Sequence, residues 1–143
     1  MERSGTHETT GFLHARIDGE PWTATSVVLY LNARYLTVAG PKGGAMVTSL
    51  YLEFPSTIKP GQYKVSTNSA EAWFNPGANA ASWSAREGVV DVISVSREEP
   101  SITVYFDYVA VNPLNINESK KITGSGQFIG ASEKTNENKK IQQ

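Results

Sequence analysis

The chain has 143 residues, 13 basic and 14 acidic side chains, a formal charge of −1 and no cysteine. That length suits one domain able to bury a core without covalent staples, and the lack of cysteine removes disulfides, thiolate metal sites, a lipid-bearing cysteine and a cysteine nucleophile. Its charges are scattered, with no basic stripe for phosphate backbones and no acidic block, so nucleic acid is not expected as a partner.

The opening MERSGTHETT holds no apolar stretch of the kind a signal peptide needs, and no apolar run is long enough to span a bilayer. The expected compartment is the cytoplasm if Met1 is the natural start, and the periplasm or cell surface if a leader has been removed. Residues 1–10 are polar, and GASEKTNENKKIQQ at the other end is nearly free of large apolar side chains. Residues 1–10 and 132–143 are therefore expected to be flexible tails around one domain over 11–131.

Within 11–131 the pattern changes every eight to twelve residues, as short strands and turns do, and no window keeps a helical apolar stripe for three turns. The first expected strand is 12–17, followed by 22–31, a turn at Asn32 and a strand over 34–39. GPKGG closes a hairpin onto 46–54, where Met46, Leu50, Leu52 and Phe54 share a face expected to be core. A Pro-Gly turn in STIKPGQYKV leads to a short strand through Tyr63 and Val65. A further short strand holds Trp73 and Phe74, and the loop-like NPGANAASWSAREG allows a brief pairing at 82–85. The strongest strands are 89–95 and 102–111, joined through REEP, and 121–129 ends the domain. Eight or nine short antiparallel strands at this spacing imply an all-β fold, a single β-sandwich or flattened barrel.

ARIDGEPWTA, residues 15–24, has a specific structural reading. Asp18 and Gly19 both tolerate the left-handed backbone of a tight hairpin, Pro21 lacks an N–H and suits a strand start, and Trp22 is placed to close one end of the core. FLHARIDGEPWTA resembles the N-terminal hairpin of an uncharacterised family of small bacterial all-β domains, often described as lipoproteins. Its members begin Phe-x-Ala-x-Ile-Asp-Gly, then Trp-x-Ala. Ile17, Asp18, Gly19, Trp22 and Ala24 carry the likeness, while His14-Ala15-Arg16 departs from it. KPGQY and ITGSGQFIGA are similar to the same family's Pro-Gly-x-Tyr turn and closing Gly-x-Phe strand. The resemblance implies a fold and no activity.

Few residues suggest chemistry. His7 and His14 lack a second histidine or carboxylate at ligand spacing, so no metal site is expected, and His14 reads as a surface or edge residue. GSGQFIG is one residue too long for a dinucleotide fingerprint and follows no βα signal; its glycines read as close approach, bulge or twist within a strand, and no cofactor is expected. Glu87, Asp91, Glu98 and Glu99 are near in sequence, but nothing fixes the separation that paired-carboxylate catalysis requires. Asn117-Glu118-Ser119 meets the glycosylation pattern, a match this short being expected by chance.

The candidate ligand-binding residues are Trp73, Phe74 and Trp83, set among Ala, Asn, Gly and Pro, where large rigid rings on a small-residue loop form a platform for a sugar or a partner's anchor. The competing reading folds at least two of them inward. The expected function is a non-enzymatic module contacting a protein or surface glycan through loops or a sheet edge. The alternatives are a small hydrolase-like enzyme using an Asp or Glu with His14, and a structural subunit of a bacterial or phage assembly.

Overall fold

The computed structural model describes residues 8–43, 47–65, 69–77 and 80–132, and among them there is no helix. Ten antiparallel strands form one sheet: β1 (Thr10–Ile17), β2 (Glu20–Thr23), β3 (Val28–Leu31), β4 (Tyr35–Lys42), β5 (Thr48–Pro55), β6 (Gly61–Lys64), β7 (Glu71–Asn75), β8 (Trp83–Ser96), β9 (Ser101–Asn112) and β10 (Asn115–Ile129). The strand order is β2-β1-β10-β9-β8-β7-β5-β4-β3, with β6 paired to β8 beside β7. The all-β expectation holds, with ten strands in a sheet that curls around its core without closing.

Two differences from the sequence reading follow from that curl. The expected strand over 22–31 is broken into β2 and β3, which lie at opposite ends of the strand order. Residues 24–27 carry the chain across the seam: Ala24 N–H donates to Leu13 O on β1, and Thr25 N–H donates to Pro41 O on β4. The brief pairing expected at 82–85 is instead the start, from Trp83, of the much longer β8, a strand of 14 residues that bends through two register shifts and so pairs β7 near its start and β6 further on. Part of the GPKGG hairpin and Met46 lie outside the described residues, as do residues 1–7 and 133–143 of the expected tails. Thr10 already pairs with Ile129, and the Thr9 hydroxyl donates to Gly130 O while accepting from Leu29 N–H.

The Asp18-Gly19 hairpin is as the sequence implies. Both residues have positive φ, 52° and 86°, which matches the right-handed twist of the strands they join. Asp18 also accepts from Lys121 N–H through Oδ1, tying the turn to β10. At Gly124 close approach is the constraint, since a Cβ there would collide with the His14 carbonyl and the Phe106 ring.

Alternation along the strands builds the core. In β9, Ile102, Val104, Phe106, Tyr108 and Ala110 are buried, and Leu50, Leu52 and Phe54 of β5 and Phe128 of β10 join them. The packing defect among Leu13, Val38, Leu52, Phe106 and Phe128 leaves no room for a water molecule. Trp22 is 6 % exposed, and its indole N–H donates to Thr48 Oγ1 at 2.7 Å, linking the β2 edge to β5. Trp22→Ala should cost about 3–5 kcal/mol in urea unfolding, the range for large core aromatics. A loss under about 1 kcal/mol would place the ring at the surface.

Tyr108 is buried, and its hydroxyl donates to Trp73 O at 2.9 Å. Burial, and next the nearby Tyr51, push its pKa well above the usual phenol value. A raised folded pKa on an acid means stability is whole below the unfolded value, near 10, and is lost as pH climbs above it. Tyr108→Phe should cost about 1–3 kcal/mol at neutral pH, because the Trp73 carbonyl loses its donor. Denaturant unfolding as a function of pH should also show a shallower alkaline decline in this variant, and an unchanged decline would assign the effect to other groups.

Candidate functional site

The three aromatic residues singled out by sequence do not act together. Phe74 and Trp83 are 3 % and 6 % exposed and pack edge to face at 5.7 Å, paired across β7 and β8. Lys120 Nζ lies 6.0 Å from the Trp83 ring centroid and 3.7 Å from Asp18 Oδ2. Trp73 turns to the other side of β7, as strand alternation demands, and stacks on Tyr51 with centroids 4.6 Å apart. It is partly buried, so none of the three rings is more than half exposed. A ligand approaching from outside reaches neither Phe74 nor Trp83, because burial of a large ring is worth more than its exposure. Of the three rings expected to form a platform, Trp73 alone faces outward, with one ring face occupied by Tyr51.

The broad outward surface belongs instead to β2, β1, β10, β9, β8 and β6. Register aligns one row across all six strands, running Thr23, His14, Ser125, Tyr105, Asp91, Gln62. Beside it runs Pro21, Arg16, Thr123, Asp107, Val89, Lys64, and on the other side Phe12, Gln127, Thr103, Ser94. Tyr105 is 56 % exposed and Phe12 38 %. Phe12 stacks on His14 at 4.8 Å, and His14 Nδ1 lies 3.3 Å from Thr23 Oγ1. An open depression of about 400 Å³ lies over the start of this surface, bounded by His14, Arg16, Pro21, Thr23, Thr123 and Ser125.

Sequence reasoning missed Tyr105 because it sits inside a strand that reads mainly as core. The signal was there in the alternation of 102–110, where every second residue must face away from the buried set.

The hydrolase alternative pairs His14 with an Asp or Glu, and Asp91 is the carboxylate in its row. His14 and Asp91 are separated by three strand spacings, on the order of 14 Å, far beyond proton-transfer reach. Among the described residues no three His, Asp or Glu side chains converge to hold a metal ion, and no helix is long and apolar enough to cross a membrane.

The sheet edges are poor templates for another strand. β2, β3 and β6 are each four residues long, β2 carries Pro21, and on β3 the Leu29 N–H and C=O are taken by Thr9 Oγ1 and Ser132 N–H. The β9–β10 hairpin ends in an apolar tip, with Leu114 86 % and Ile116 73 % exposed where three extra residues bulge from β10. Its backbone is held locally: Leu114 N–H donates to Asn112 Oδ1 and Asn117 N–H to Asn115 Oδ1.

No curated protein and no solved structure matches the chain. A family model described as a domain of unknown function, DUF6252, matches residues 9–142, which takes in every strand of the sheet and all three rows of outward residues, and the chain belongs to that family.

Proposed function

We propose that this protein is a non-catalytic binding module that holds a carbohydrate on the outward face of β1, β10, β9 and β8. The observation that carries the reading is Tyr105, more than half exposed in the middle of a sheet face, with the Phe12–His14 stack on one side and hydroxyl, amide and carboxylate groups around it. An aromatic ring offers a rigid apolar surface to the C–H face of a pyranose at low entropic cost, and the surrounding polar side chains fix orientation through hydrogen bonds. The filled interior and the blunted edges leave this face as the broad surface open to a ligand. Likeness of the N-terminal hairpin to lipoprotein domains adds a cell-envelope setting to the proposal, where polymeric glycans are at hand.

Docking to a protein is a second reading, favoured by the exposed Leu114 and Ile116 at the hairpin tip. The two readings place the ligand on different parts of the molecule.

Tyr105→Ala separates structural from binding roles. Stability should stay within about 0.5 kcal/mol, as at ordinary surface positions. Binding to the glycan that a glycan array selects should weaken by more than about 1 kcal/mol, the threshold for an aromatic anchor. A variant that binds as tightly as the parent, or a parent that binds no glycan on the array, would contradict the proposal.

A further inference from the structure

The outward row sets a direction as well as a place. Its residues lie on successive hydrogen-bonded strands, so the row runs across the strands in steps of about 4.8 Å. The Phe12–His14 stack stands on β1 and Tyr105 on β9, two steps away, on the order of 10 Å. Between them the row carries Ser125, whose small side chain leaves the space above β10 open.

Pyranoses joined through equatorial bonds form an extended ribbon, in which alternate sugars turn the same C–H face to the same side. Their repeat is two sugar rings, close to two strand spacings. Sugars in a chain joined through axial bonds follow a coil, and the coil loses that register within a few residues. Beyond Tyr105 the row continues through Asp91 to Gln62, which supply carboxylate and amide partners for the hydroxyls of further sugars. Charge narrows the class again. Arg16 and Lys64 in the neighbouring row offset Asp91 and Asp107 on the same face, which matches a neutral polymer better than a polyanion.

Resting on the carbohydrate reading above, we infer that the ligand is an extended, equatorially linked, neutral glycan lying across the strands from His14 towards Gln62. The test is calorimetric titration of the intact protein with cello-oligosaccharides of two, four and six sugars, with maltohexaose as the coiled control. Affinity should rise by about tenfold from the disaccharide to the tetrasaccharide and again, by less, to the hexasaccharide, with maltohexaose at least about tenfold weaker than cellohexaose. Gln62→Ala should weaken the hexasaccharide several-fold and leave the disaccharide unchanged, a length-selective loss that a general effect on folding would not produce.

Equal affinity for the disaccharide and the hexasaccharide, or for cellohexaose and maltohexaose, would overturn the direction and linkage while leaving a carbohydrate site in place. Silence with all four probes beside a positive glycan array would do the same. Silence on the array as well would overturn both this inference and the carbohydrate reading.

Discussion

Ile102, Val104, Phe106, Tyr108 and Ala110 lie buried along one side of β9, and a slip of one residue against β8 or β10 would turn all of them outward. The same slip would send Tyr105 inward. Core and outward face are thus two readings of one register, which β9 keeps with β10 without a break from Ser101 to Val111, while β8 follows it through two shifts. Several local features serve to hold it. Asp18 and Gly19 fix the first hairpin, Asp18 reaches Lys121 N–H on β10, and Gly124 lets β1 come close at the point where His14 faces out.

Much of this was legible in the residues. The Asp18-Gly19 turn, the burial of Trp22 and the shared face of Leu50, Leu52 and Phe54 follow from local chemistry, since turn residues and period-two alternation act over a few positions. The break between β2 and β3 was not legible. Residues 24–27 look like a continued strand, and only the need to bridge two distant ends of the sheet bends them away. The bends in β8 were hidden for a similar reason, because a bulge is set by which two neighbours a strand must reach.

The candidate site was less legible than the fold. Trp73, Phe74 and Trp83 stand out by type and by their small-residue surroundings, yet pairing with β8 draws Phe74 and Trp83 into the interior. His14, Ser125 and Tyr105 are unremarkable in sequence, being more than a hundred positions apart at the extremes. They become a row only when β1 pairs with β10 and β10 with β9. Composition thus nominated the aromatics of one loop, whereas topology assembled an aromatic and hydroxyl surface elsewhere.

The surface so assembled makes modest demands on the fold. Tyr105 and Phe12 contribute little to the core, so the face is free to vary without loss of the register beneath it. The most direct test of a binding face built from the β9 register is a map of backbone amide shifts during titration with the array-selected glycan. The account places the perturbed amides on β1, β10, β9 and β8 around His14, Ser125 and Tyr105. Perturbations confined to the hairpin tip at Leu114 and Ile116, or to the Tyr51–Trp73 stack, would contradict it.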